Sequence, residues 1–84
     1  MRIIFAPGAW EDYLHWQGTD TKVVKRIHLL IKDASRNPTS GIGNPEPLRY
    51  ALAGFWSRRI TEEHRMVYKA DGGNLLIAQL RYHY

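Results

Sequence analysis

The sequence contains no cysteine, so neither a disulfide framework nor a thiolate metal site is available. This composition fits a reducing compartment and predicts a cytoplasmic protein. No apolar run approaches the roughly 20 residues of a membrane-spanning helix, and the first residues lack a secretory signal pattern. No two histidines have ligand spacing backed by carboxylates, which argues against a metal site. These absences leave one small domain, residues 1–84, stabilised by its core alone.

Basic residues are in excess, and the excess is uneven along the chain. Twelve Lys and Arg stand against eight Asp and Glu, which gives a formal net charge of +4. From residue 49 onward six basic residues face three acidic ones, and five of those six are arginine. Because a planar guanidinium matches phosphate, this half predicts a polyanionic partner. Three tryptophans and five tyrosines add possible stacking surfaces, although most aromatic residues of a small domain belong to its core.

The first half of the chain predicts a strand followed by two helices. Residues 2–5 are apolar and β-rich, and Pro7 stands where a helix can begin. Asp20 is a good N-cap for a second helix, whose apolar residues recur at helical spacing through Ala34. Two antiparallel helices joined by a tight turn are the natural interpretation.

The second half predicts strands after a long loop. Residues 37–47 contain three prolines and two glycines, which excludes a helix or an interior strand. Three β-like runs follow, at 55–61, 65–70 and 75–81, and the last two are separated by a hairpin turn. The pattern predicts a two-layer α+β fold with two N-terminal helices packed on an antiparallel sheet. The opposite sheet face is left either solvated or functional.

Glu46 lies between Pro45 and Pro47, which restrict its backbone from both sides. A rigidly held carboxylate suits a general base, because a base must lie within hydrogen-bond reach of its proton. An ordinary solvated glutamate in a turn is the alternative, and the spacing alone favours that alternative.

The segment 55–65 places arginines inside predicted strands, where the sheet fixes their direction. Alternation puts Arg59 on one face and Arg58 on the other, and Arg65 begins the next strand. We interpret these arginines as a grip for phosphate that also stabilises charge in a transition state. The alternative is a solvated face on which Glu62 and Glu63 pair with the arginines.

The last four residues, Arg81–Tyr84, offer a cation, an imidazole and two phenols. With Glu46 as base and Arg65 balancing charge, His83 as acid completes a set for metal-free RNA cleavage through the ribose 2′-hydroxyl. A solvated His83 on a closing strand is the alternative. The histidines on the predicted helices, His15 and His28, are interpreted as structural.

Several motifs together resemble one family over the full length of the chain. The resemblance is to YoeB (Txe-type) toxins of the RelE superfamily. It is carried by WEDYL from Trp10, WQ from Trp16, PEPL from Pro45, GFWSRRITEEHR from Gly54, VY from Val67, and RYHY from Arg81.

This resemblance implies a microbial-RNase-like fold and a toxin that cuts mRNA in the ribosomal A site, without metal or cofactor. By matching position, Glu46 is the general base, His83 the general acid, Arg65 the residue that stabilises the transition state, and Tyr84 an orienting residue. Further active-site positions correspond to Arg49, Arg59 and Glu63, and we add Arg58 and Arg81 as RNA-binding cations. The implied partners are a YefM-like antitoxin, the ribosome with mRNA, and a second copy of the chain. Operator DNA would be reached only through the antitoxin, and no membrane is involved.

Four positions depart from the family pattern. Arg49 and Tyr50 replace a lysine and a histidine, and Ile42 and Asn44 stand where a relative carries lysines. Fewer loop cations should weaken phosphate contacts. Two other functions stay open from sequence: a non-catalytic RNA- or ribosome-binding module, and a regulatory partner that sequesters an antitoxin.

Overall fold

The computed structural model describes residues 1–83, in which two helices cover one face of a five-stranded sheet. The elements are β1 (Arg2–Phe5), α1 (Pro7–Thr19), α2 (Thr21–Arg36), β2 (Glu46–Pro47), β3 (Trp56–Arg59), β4 (Arg65–Asp71) and β5 (Asn74–Gln79), with a 3-10 turn at Tyr50–Leu52. The strand order is β1-β5-β4-β3-β2. Within these residues, no helix has both the length and the apolar character needed to cross a membrane.

The predicted two-layer α+β fold is confirmed, with one difference in the sheet. β2, β3, β4 and β5 pair antiparallel, whereas β1 pairs parallel with β5, from Arg2 opposite Asn74 to Phe5 opposite Ile77. Parallel neighbours need a long crossover connection, and the helical hairpin and the other strands provide it. β2 is an edge strand, which is where Pro47 is tolerated in a sheet.

The second helix begins and packs as its sequence predicts. The side chain of Asp20 accepts hydrogen bonds from the amides of Lys22 and Val23, at 3.0 and 3.3 Å, and so caps the helix. One stripe of α2 is buried: Val23, Ile27, Leu30 and Ala34. It packs against the inner sheet face, formed mainly by Met66, Tyr68, Leu75 and Ile77.

Arg58 lies on this inner face and is completely buried. Its five N–H groups all find acceptors: the Asp33 carboxylate, the Tyr68 hydroxyl at 2.9 Å, and three loop carbonyls. These carbonyls belong to Asn37, Ser40 and Ile42. The prediction that Arg58 binds RNA is therefore wrong, because its guanidinium faces the core and has no donor left for phosphate.

The loop between α2 and β2 is built around Arg58. Gly43 has φ +81°, and a Cβ atom there would lie 2.7 Å from Leu30 Cδ2 and 3.1 Å from Arg58 Cβ. Asp33 also accepts a hydrogen bond from the Ile42 amide at 2.9 Å. Only glycine combines this backbone conformation with this close approach. Contacts with the buried residues Arg58 and Leu30, and with Asp33, thus fix the loop that leads to Glu46.

We predict opposite effects on stability for two neighbouring arginines. Arg58→Gln should lower the free energy of unfolding by about 3 kcal/mol or more, because it leaves loop carbonyls and Asp33 without their donor. Arg59→Gln should change it by less than about 0.5 kcal/mol, because Arg59 is exposed. Urea unfolding of both variants measures this difference. Equal stability of the two variants would contradict the role given to Arg58.

The ion pair also predicts acid sensitivity. The hydrogen bond from Arg58, and then that from the Ile42 amide, hold the pKa of Asp33 below its ordinary value of 3.8. The folded state therefore prefers the carboxylate, so its stabilising contribution is complete above the unfolded pKa and is lost as pH falls through the lowered folded pKa. Asp33→Asn should be less stable than the parent at pH 7, and the gap should narrow below about pH 4. Unfolding curves across pH 2.5–7 test this, and a gap independent of pH would contradict it.

Candidate active site

Glu46 is presented on the face of the sheet opposite the helices. It pairs with Ser57 in β3, and Ser57 pairs with Val67 in β4, so the three side chains form a row on this face. We call it the open face because no helix covers it, although Ser57 and Val67 are themselves buried. Asn44 Nδ2 donates a hydrogen bond to Glu46 Oε1 at 3.2 Å. This bond orients one carboxylate oxygen and leaves Oε2 available.

Glu46 lies at the wall of a cavity with a volume of about 600 Å³. The other lining residues are Pro47, Leu48, Arg49, Tyr50 and Leu52. Arg49 brings a cation beside the carboxylate. Tyr50 is 92% exposed and has φ +57°, so its ring faces solvent rather than the core. The cavity therefore combines a carboxylate, a guanidinium and an aromatic surface.

Arg65 occupies the neighbouring row of the same face, opposite Arg59 in β3. Its Nε and Nη1 atoms are buried, and neither has an acceptor within the part of the chain that the structure describes. The only ion pair among residues 1–83 is Arg58–Asp33, so Glu62 and Glu63 do not neutralise these arginines. The alternative of a face with paired charges is therefore not realised in the described residues, and Arg65 keeps two buried donor atoms without an acceptor there.

Glu46 and Arg65 lie two strand spacings and two residue steps apart. From the register Glu46–Ser57–Val67, a strand spacing of about 4.8 Å and a rise of about 3.3 Å place their Cα atoms about 12 Å apart. Both are long side chains on one face.

The C-terminal segment is held by side chains rather than by strand pairing alone. Asp12 Oδ2 accepts from the Leu80 amide at 3.0 Å, and Trp16 Nε1 donates to the Leu80 carbonyl at 2.9 Å. The Arg65 amide donates to the Tyr82 carbonyl at 3.0 Å. Asp12 and Trp16 are four residues apart in α1 and so lie on one helix face. The segment therefore continues alongside the start of β4, next to Arg65.

His83 lies in a second cleft, of about 350 Å³, which is lined by Gly8, Asp12, Ala78, Gln79, Arg81, Tyr82 and His83. It does not share a cavity with Glu46. The Arg81 guanidinium lies 4.8 Å from the centre of the Tyr82 ring, and the Arg81 side chain is partly buried there. Tyr84 lies outside the described residues, so its predicted role remains a prediction.

The non-glycine residues with positive φ among residues 1–83 all lie near the predicted catalytic residues. Asn44 and Tyr50 flank Glu46 at φ +53° and +57°, and Tyr82 precedes His83 at φ +61°. Asparagine tolerates this backbone conformation, whereas it is unfavourable for tyrosine and persists where surrounding contacts enforce it. They therefore lie in two places, beside Glu46 and beside His83.

Sequence reasoning missed the residues that hold the C-terminal segment, above all His64 and Gln79. Gln79 Nε2 donates to the carbonyls of Arg81 and His83, at 2.7 and 3.0 Å. The only available signal for His64 was its place on the same strand face as Met66. The helical histidines are structural as predicted: His28 hydrogen-bonds the Tyr13 hydroxyl, and His15 packs on a core tryptophan. No cluster suited to a metal ion occurs among residues 1–83.

Comparison with known proteins places this fold and these motifs in one family. Residues 5–84 match the family described as the YoeB-like toxin of bacterial type II toxin-antitoxin systems. Toxin YoeB of Escherichia coli (strain K12) is 57% identical over 84 residues, which covers all of both chains. The solved structure of a YoeB/ParE toxin from Agrobacterium tumefaciens superimposes with a TM-score of 0.96 at 46% identity, covering all of both chains. A toxin in a heterotetrameric YoeB-YefM complex from Staphylococcus aureus gives 0.92 at 47% identity, covering 100% of this chain and 98% of that one. The chain therefore belongs to the YoeB-like toxins of bacterial type II toxin–antitoxin systems.

Proposed function

We propose that this toxin is a ribosome-dependent endoribonuclease that cleaves mRNA in the ribosomal A site and so stops translation. The observation that carries this proposal is Arg65, whose buried Nε and Nη1 find no acceptor among residues 1–83 and lie on the same sheet face as Glu46. Buried donors normally have partners, so unsatisfied guanidinium donors on the same sheet face as a carboxylate indicate a site for a ligand with acceptor oxygens. A phosphodiester is such a ligand.

The proposed reaction is an acid–base transesterification that needs no metal ion. Glu46 takes the proton of the ribose 2′-hydroxyl, and the 2′-oxygen attacks the adjacent phosphorus. Negative charge grows on the non-bridging oxygens, and Arg65 stabilises it with two N–H donors. The bond to the 5′-oxygen breaks as His83 donates a proton to that oxygen. The products are a 2′,3′-cyclic phosphate and a free 5′-hydroxyl.

Substrate contacts are assigned to four further charged residues. Arg49, Arg59, Glu63 and Arg81 are the proposed RNA-contacting residues. Arg49 lines the cavity of Glu46, and Arg59 lies opposite Arg65. Tyr84 is proposed to orient the substrate. Since the substrate is presented by the ribosome, the site itself needs only to complete the geometry of attack, which can lower a barrier by several kcal/mol.

The proposed partners follow from family membership. Relatives from Staphylococcus aureus are described as a YoeB-YefM heterotetramer and as a YoeB dimer. We propose that this toxin likewise forms a homodimer and is neutralised by a YefM-like antitoxin, through which alone it reaches operator DNA. Its proposed place of action is the cytoplasm, where ribosomes are. A purely regulatory role predicts binding of antitoxin without any cleavage by the free toxin.

We predict that single substitutions separate the chemistry from binding. Glu46→Gln, Arg65→Lys and His83→Gln should each lower the single-turnover rate of mRNA cleavage on programmed ribosomes by roughly 10²–10⁴-fold. Arg65→Lys keeps the charge but loses the planar fork of donors. Arg2→Gln, an exposed arginine on the opposite sheet edge, is the matched control and should cleave like the parent.

Ribosome binding and thermal unfolding of the same variants complete the experiment. Folded variants that bind ribosomes but do not cleave support the catalytic assignment. Folded Glu46→Gln and His83→Gln proteins that cleave at the parent rate would reject it. A parent protein that binds ribosomes without cleaving mRNA would instead identify a binding module.

A further inference from the structure

The segment that carries His83 is attached to the body of the protein by a set of directed hydrogen bonds. The amide and the carbonyl of Leu80 both form hydrogen bonds with side chains of α1. The Tyr82 carbonyl accepts a hydrogen bond from the Arg65 amide. The Tyr82 amide lies one residue before His83. It donates to His64 Nδ1 at 2.7 Å.

His64 is itself fixed from several sides. Its amide is bound by Thr61 Oγ1 at 3.2 Å, and its carbonyl accepts from the Ile60 amide at 2.9 Å. Its ring packs edge-on against Trp16 at 4.8 Å and lies 5.4 Å from the Tyr82 ring. Accepting a hydrogen bond at Nδ1 requires a lone pair there, so the neutral ring carries its proton on Nε2. The imidazole therefore acts as an oriented acceptor.

His64 binds the amide of Tyr82, a residue with an unfavourable backbone conformation. Tyr82 adopts φ +61°, which is unfavourable for a side chain of this type. This turn directs the chain into His83. The Tyr82 amide donates to His64, and the Tyr82 carbonyl accepts from the Arg65 amide, so both backbone groups of Tyr82 are hydrogen-bonded. The His83 carbonyl accepts from the Gln79 side chain.

We propose that His64 is a positioning residue that sets the place of the general acid His83 by binding the Tyr82 amide through Nδ1. This inference rests on the proposed function, in which His83 donates the proton to the leaving oxygen. His64 does not touch the substrate in this account. Its effect is on the rate of the proton-transfer step, because catalytic geometry tolerates displacements of only about 1 Å before rates fall up to roughly 10²-fold.

Two amide substitutions of matched polarity test the acceptor atom. In His64→Asn, Oδ1 reaches the place of Nδ1 and can accept from Tyr82. In His64→Gln, the amide lies further out, near the place of Nε2. Single-turnover cleavage on programmed ribosomes should keep most of its maximal rate in His64→Asn and lose roughly 10- to 100-fold in His64→Gln, with similar half-saturating protein concentrations.

Amide hydrogen exchange gives a readout independent of activity. The Tyr82 amide should be protected in the parent and in His64→Asn, and should exchange faster in His64→Gln. Thermal unfolding of the three proteins checks that the fold is kept. Equal rates for the two variants, whether both high or both low, would overturn the proposal, as would a more active His64→Gln.

A double substitution separates positioning from a general structural role. Once His83→Gln has removed the acid, adding His64→Gln should lower the rate by less than about twofold, because the two residues act in one unit. A full additional loss would show that His64 acts elsewhere and overturn the proposal. If His83→Gln alone cleaves at the parent rate, the proposed function fails and this inference with it. If only the His64 variants cleave normally, the inference fails alone.

Discussion

The candidate site depends on the hydrogen bonds of the buried Arg58 guanidinium. A charge in the core is tolerated only when it is paired and hydrogen-bonded, and Arg58 meets this condition with an acceptor for each of its five N–H groups. Three of those acceptors are carbonyls of the loop that leads to Glu46. The next residue, Arg59, donates its amide to Gly43 in the same loop at 2.7 Å. The stability of the core and the position of the candidate base are therefore coupled through one strand.

The two faces of the sheet divide structure from chemistry. On the helix side the cation is fully satisfied, whereas on the open side Arg65 keeps buried donors without an acceptor in residues 1–83. The open face also receives Glu46 from an edge strand, and the segment bearing His83 lies alongside the start of β4. Non-glycine residues with positive φ lie near both Glu46 and His83. A satisfied core network thus supports a second sheet face on which the buried donors of Arg65 have no acceptor among residues 1–83.

Much of this arrangement could be predicted from sequence, and its limits have physical causes. Helical periodicity and the Asp20 cap identified α2, and strand alternation placed Arg58 and Arg59 on opposite faces. Alternation does not say which sheet face the helices cover. Trp56, Ile60 and Met66 share a face with Arg58, however, and indicate that this face is the apolar one. The parallel pairing of β1 and the contacts of His64 join residues far apart in sequence, which local patterns cannot reveal. Tyr84 lies outside the described residues, and its role rests on the resemblance alone.

The most direct test of the catalytic account is cleavage of an mRNA that carries a single 2′-deoxynucleotide at the scissile position in the A-site codon. Glu46 can act as proposed only on a 2′-hydroxyl, because this group supplies both the proton and the attacking oxygen. The account predicts that programmed ribosomes with this message bind the toxin but show no cleavage at that position, while the all-ribose message yields a 2′,3′-cyclic phosphate end. Cleavage of the deoxy-substituted message at the parent rate would contradict it.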